Sequence, residues 1–121
     1  MPLLKEKTCK PCEGTEPPLT LQQAQEFLNQ VDNWELDFGV TGFGVSSINK
    51  IKKQFSFANF IKAIEFVNKI SELAEKEGHH PDINISYNRV LITTYTHAIS
   101  GLSENDFVLA AKIDEVKKDL Y

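Results

Sequence analysis

The chain is poor in cysteine and histidine, has no long apolar run, and carries a deficit of positive charge. Cys9 and Cys12 are its two cysteines, so no disulfide framework is available to staple the fold. A reduced, cytoplasmic protein is therefore expected. No apolar stretch approaches the roughly 20 residues of a membrane-spanning helix, and no membrane partner is expected. The opening "MPLLKEKTCKPCEG" lacks the continuous apolar core of a secretory signal. Lys and Arg number 13 against 17 Asp and Glu, for a net charge of −4. That balance argues against a chain built around phosphate contacts, so no direct nucleic-acid partner is expected. Cys9-Lys10-Pro11-Cys12 has no second pair to complete the four ligands zinc usually takes, and no βαβ context to support a redox role.

What remains is ordinary for a globular domain. Hydrophobic residues make up 41% of 121 residues, enough for one core without metal or disulfide. Residues 1–18 hold Pro2, Pro11, Gly14, Pro17 and Pro18 and read as an irregular N-terminal arm. Residues 19–121 read as a single domain. Its first helix starts at Thr20, with Gln23 placed to close a capping box. Leu21, Ala24, Leu28 and Val31 follow on one face. Trp34, Leu36 and Phe38 alternate with acidic residues, as in a half-buried strand. In the next strand Ile51, Lys53 and Phe55 alternate, but Val45 and Ile48 fall out of step and suggest a bulge. A long helix over 57–77 is expected, with Ser56 as N-cap, Phe55 and Phe60 as a staple, and Gly78 as its left-handed end. Two alternating strands follow, with Asn88-Arg89 between them as a tight hairpin. Ser103 then caps a last helix, with Asp106 at its third position and Leu102 and Phe107 as a second staple. The pattern predicts an α+β two-layer sandwich, a four-stranded antiparallel sheet with helices packed on one face.

Three histidines are present, His79, His80 and His97. A hairpin turns the chain round, so the end of its second strand returns to the edge where its first began. His97 should therefore meet His79 and His80 at one end of the domain. Imidazole titrates near neutrality and can donate or accept a proton. The competing reading is a set of exposed polar residues in loops. A three-histidine zinc site is a further alternative, disfavoured because adjacent residues rarely both ligate one ion. Glu75, four residues before His79, and Asp106 read by spacing alone as a solvated glutamate and a first-turn carboxylate.

Together "AEKEGHHPDI", "YNRVLITTYTH" and "GLSENDF" closely resemble the pterin-4a-carbinolamine dehydratases. Their pattern is a glutamate, three residues, His-His-Pro, then Tyr-Asn, a strand ending Thr-His, and Leu-Ser or Leu-Thr followed by Asp. Here it falls on Glu75, His79, His80, Pro81, Tyr87, Asn88, Thr96, His97, Leu102, Ser103 and Asp106. The resemblance runs from about Trp34 to the C-terminus, and the arm resembles that of microbial and plant members. Animal members often carry a tryptophan where this chain has Ile83, so no aromatic contact to a pterin carries over there. The resemblance implies dehydration of 4a-hydroxytetrahydrobiopterin to the quinonoid dihydropterin, which recycles the cofactor of aromatic amino-acid hydroxylases. It implies His79, His80 and His97 as catalytic residues, with Glu75, Pro81 and Asp106 supporting, and Asp106 near His97. No metal and no cofactor are implied, and a homodimer or homotetramer is. Some members also serve as dimerisation cofactors of a homeodomain transcription factor, an alternative role for this chain.

Overall fold

The computed structural model describes residues 3–10, 14, 16–37 and 49–120. Helix α1, Leu21–Leu28, begins where the capping box predicts. The Thr20 side chain accepts from the Gln23 amide at 3.2 Å, and Gln23 Oε1 accepts from the Thr20 amide at 2.9 Å. Strand β1, Glu35–Asp37, pairs antiparallel with β2, Lys50–Ser56. The proposed bulge around Val45 and Ile48 and the strand position of Phe38 lie outside the described residues. From Ile51 onward β2 runs without interruption against β4, Arg89–Thr94, which pairs in turn with β3, Asp82–Ser86. The sheet order is β1-β2-β4-β3, all antiparallel.

The long helix starts later than the spacing predicts. Helix α2 is Phe60–Glu77, and its N-cap is Asn59, whose side chain accepts from the Lys62 amide at 2.9 Å. Ser56 instead completes the β2–β4 ladder opposite Arg89. The Phe57 amide then donates to Asn88 O at 2.8 Å, while Asn88 Nδ2 donates to Phe57 O at 2.9 Å. These two bonds keep the chain extended past Ser56, so Phe55 is buried and Phe60 is left exposed. The helix ends as expected at Gly78, in the left-handed region at φ 65°. The hairpin turn is Tyr87–Asn88, one residue earlier than predicted, because Ser86 pairs with Arg89. Tyr87 accepts a positive φ of 52° there.

Alternate residues of the sheet face the core. Ile51 and Phe55 on β2 and Val90, Ile92 and Thr94 on β4 are buried. Lys53 shares that inward face of β2. Its Nζ donates to Asp114 Oδ1 at 2.8 Å and to Asp32 O at 2.7 Å, and Trp34 Nε1 donates to Asp114 Oδ2 at 3.1 Å. A charge can sit at the edge of the core because it is paired and hydrogen-bonded. Phe66 of α2 packs on Phe55 and Phe57 at centroid distances of 4.8 and 5.0 Å. Helix α3, Glu104–Leu120, contributes Phe107, Val108, Leu109, Ala110 and Ile113, and Phe107 stacks on Phe27 of α1 at 5.3 Å. The N-terminal arm also reaches the core. Leu4, in a 3-10 turn at Leu4–Glu6, is 3% exposed.

Candidate active site

Three chain ends meet at one edge of the sheet. The left-handed Gly78 turns the backbone out of α2, and His79 and His80 follow at once. Strand β4 returns to the same edge and ends at Thr94. Two residues on, Thr96 and Gly101 exchange backbone hydrogen bonds of 2.8 and 3.4 Å. That bridge closes a small loop carrying a 3-10 turn at His97–Ile99. His97 therefore sits in this loop rather than on the strand. Gly101 is required by close approach: a Cβ there would lie 2.8 Å from Pro18 Cβ. Helix α3 starts immediately afterwards.

Asp106, in the first turn of α3, is 0% exposed and accepts four hydrogen bonds. Oδ1 accepts from Thr94 Oγ1 at 2.8 Å and meets His79 Nε2 at 2.6 Å. Oδ2 accepts from Thr96 Oγ1 at 2.8 Å and from the Ser103 amide at 3.0 Å. With Asp106 accepting here as it does from its other three donors, the proton of this contact lies on His79 Nε2. Nδ1 is then the ring nitrogen that Asp106 does not engage. The Thr96 hydroxyl gives its one proton to Asp106, so Ser103 Oγ is the donor in the 2.7 Å contact between those two hydroxyls. Asp106 thus does more than cap a helix, and its histidine partner is His79, not His97.

His80 is held differently. Its Nε2 lies 2.8 Å from Glu75 Oε1 on the surface, with side-chain exposures of 60% and 80%. Glu75 meets His80 rather than His79. The His97 ring packs against Tyr95 at a centroid distance of 4.2 Å, and Lys50 Nζ lies 5.3 Å from the Tyr95 ring centre. Pro81 is half-buried and continues the chain into β3.

A pocket of about 420 Å³ joins these groups. His79, His80, His97, Thr96, Gly78 and Ala98 line it, and Cys9, Lys10, Glu77 and Asn105 complete its edge. The expected gathering of the three histidines is present. Neither Glu75 nor Pro81 is part of the lining. Sequence reasoning missed the arm residues at the pocket and the hydroxyls of Thr94 and Thr96. The latter left a signal. Both threonines fall in the inward series of Val90 and Ile92, and a buried hydroxyl needs a partner. A cavity of similar size, about 430 Å³, lies between the arm and α3, but its Asp114 and Glu115 are already engaged by Lys53 and Lys5.

Adjacent His79 and His80 send their Nε2 atoms to two different carboxylates. Among the described residues, no three His, Cys, Asp or Glu side chains converge to hold a metal ion. Activity is expected to survive exhaustive chelation unchanged; loss of turnover that zinc restores would overturn this.

The model of the family described as pterin 4 alpha carbinolamine dehydratase matches residues 17–116. A protein of Methylococcus capsulatus, provisionally named pterin-4-alpha-carbinolamine dehydratase, is 45% identical over 113 residues, covering 93% of this chain and 92% of its own. A Halorhodospira halophila protein with the same provisional name is 46% identical over 111 residues, covering 92% and 94%. Among solved structures, the transcriptional coactivator/pterin dehydratase of Brucella melitensis superposes with a TM-score of 0.69 at 32% identity, over 82% of this chain and 97% of that one. A pterin dehydratase-like RuBisCO assembly factor of the alpha-carboxysome, at 22% identity and TM-score 0.56, shares the fold. With a match across the domain and the family's His-His-Pro, Thr-His and Ser-x-x-Asp residues gathered at one edge of the sheet, this chain belongs to the pterin-4-alpha-carbinolamine dehydratase family.

Proposed function

We propose that the protein dehydrates 4a-hydroxytetrahydrobiopterin to the quinonoid dihydropterin by histidine acid/base catalysis, returning the cofactor of aromatic amino-acid hydroxylases for reduction. The carrying observation is the meeting of His79, His80 and His97 at one pocket. The reaction breaks the C4a–O bond and removes the N5 proton. A protonated imidazole gives its proton to the departing hydroxyl, which leaves as water. A neutral imidazole takes the proton from N5, and the N5–H electron pair becomes part of the new C4a=N5 double bond. Electrons balance without an oxidant, and both steps suit groups that titrate near pH 7. His79, with its tautomer set by Asp106, and His97 each serve as the acid/base group for one C4a stereoisomer; surface His80 positions the substrate. The test is loss of a synthetic 4a-hydroxytetrahydropterin, followed against buffer alone. No acceleration by the protein would reject the reading.

The working form in this proposal is a cytoplasmic homodimer or homotetramer. Among the described residues strand β3 ends the sheet order, so one of its edges has no strand partner, and its Ile85 is 37% exposed. Antiparallel pairing of two copies across this edge would satisfy the backbone and cover Ile85. Light scattering should give a mass of two or four chains at micromolar concentration; a monomer would refute it. A second reading, a dimerisation cofactor for another protein, is favoured by Phe60 and Ile61 at the start of α2, exposed by 48% and 68%. Substitution of Ile61 would abolish partner binding on that reading and leave dehydration intact.

A further inference from the structure

We propose that the arm segment Cys9–Lys10 is a wall of the histidine pocket and that Asn105 is the latch holding it, so that the arm sets how tightly substrate binds. The inference takes its substrate from the dehydratase reading above and its geometry from the arm.

The arm lies along α3 in the opposite direction. Leu4 is buried in the core, Lys5 Nζ donates to Glu115 at 3.2 Å, and Lys7 Nζ donates to Glu104 at 3.3 Å. Exposed ion pairs of this kind hold weakly. The latch sits at the pocket. Asn105 Oδ1 accepts from the Lys10 amide at 2.9 Å, and Asn105 Nδ2 donates to Lys10 O at 2.7 Å. One side-chain amide thus pairs with both backbone groups of one residue, as a neighbouring strand would. Beside it, the Cys9 amide donates to Glu77 Oε1 at 2.9 Å, and the Glu77 side chain is 3% exposed. Cys9 Sγ lies 3.6 Å from Asn105 O.

The held residues face the chemistry. Cys9 and Lys10 line the same pocket as His79 and His97. The arm is also close on the other side. A Cβ on Gly14, at φ 81°, would come within 3.3 Å of the carbonyl oxygen of Ala98, another lining residue. The Cys9 thiol is pushed up to about 12, first by burial and then by the negative charge of Glu77. It stays protonated at neutral pH, so it acts as a surface rather than a nucleophile. The residues matched by the family model begin at 17, beyond this segment.

Asn105 is on this account a positioning residue, and two variants test it in a Cys12→Ser background. Asn105→Ala removes the latch. Leu4→Ala loosens the arm from its far end without touching the pocket, and thermal melting checks that both fold. Maleimide labelling of Cys9 reports arm release, and steady-state kinetics on a 4a-hydroxytetrahydropterin report the wall. Both variants should label at least about tenfold faster and raise KM about tenfold with kcat changed less than about twofold, the signature of lost uniform binding. Unchanged labelling in Asn105→Ala would show that Asn105 is no latch. Faster labelling with unchanged KM would show that the arm is no wall. A raised KM in Asn105→Ala alone, with both arms released, would mean that Asn105 meets the substrate directly. If the parent protein does not dehydrate the substrate, the dehydratase reading falls by itself. Protection of Cys9 from maleimide by added 7,8-dihydropterin then decides the wall, and absence of protection overturns it.

Discussion

Asp106→Asn is expected to slow dehydration by about 10²-fold or more while the protein stays folded. The carboxylate receives four donors, two on each oxygen. An amide keeps one accepting oxygen and turns an NH₂ towards donors on the other side. If the oxygen stays with Thr96 and the Ser103 amide, the NH₂ faces Thr94 and His79. The imidazole must then flip its tautomer or lose the bond, and in either case Nδ1 no longer presents the same lone pair to substrate. Leaving a buried donor unsatisfied costs about 1–3 kcal/mol, enough to lower the melting temperature without unfolding the chain. Asp106→Ala removes every acceptor at once and is expected to cost about 3–5 kcal/mol, in the range of breaking a buried ion pair. Thermal melting and single-turnover rates read the two effects separately. An Asp106→Asn protein with normal turnover and only reduced stability would reduce Asp106 to a structural cap.

His79→Ala and His97→Ala should each slow dehydration by about 10²- to 10⁴-fold, but mainly on opposite C4a stereoisomers. The C4a hydroxyl can lie on either face of the pterin ring, and an acid on one face serves one isomer. His79 comes from the end of α2 and is fixed by a buried carboxylate. His97 comes from the loop after β4 and rests on Tyr95. Two imidazoles mounted on different elements can approach the ring from different directions. His80 is tied to the exposed Glu75, so His80→Ala should raise KM or slow both isomers alike. Resolved 4a-hydroxy isomers decide the matter. Equal losses on both isomers for His79→Ala and His97→Ala would show that the two act as one unit.

Most of the fold was legible because local rules and tertiary packing agree. The Thr20–Gln23 box and the left-handed end at Gly78 stand where the sequence puts them. The start of α2 was misplaced because Ser56 and Asn59 are both good caps, and only the ladder to Arg89 and the Phe57–Asn88 bonds decide between them. Those partners lie some thirty residues away and leave no local mark. The three histidines could be brought together from hairpin geometry alone. Which of them Asp106 holds could not, because that depends on how α3 docks against the end of β4. The pairing of Asn105 with Lys10 was invisible for the same reason. It joins residues at opposite ends of the chain, and neither has a periodic neighbour to announce it.

The four bonds on Asp106 also bear on how the protein comes apart. They tie the end of α2, the end of β4, the bridge after it and the start of α3 to one atom group. None of these elements can open alone without breaking a bond to a buried charge. The histidine edge is therefore expected to belong to the last cooperative unit to melt, where local opening costs as much as global unfolding. The arm, held by the buried Leu4 and by its bonds to Asn105 and Glu77 but sharing none with Asp106, is expected to leave earlier. In rising denaturant the enzyme would first lose its grip on substrate, and its capacity for chemistry would vanish only with the fold itself.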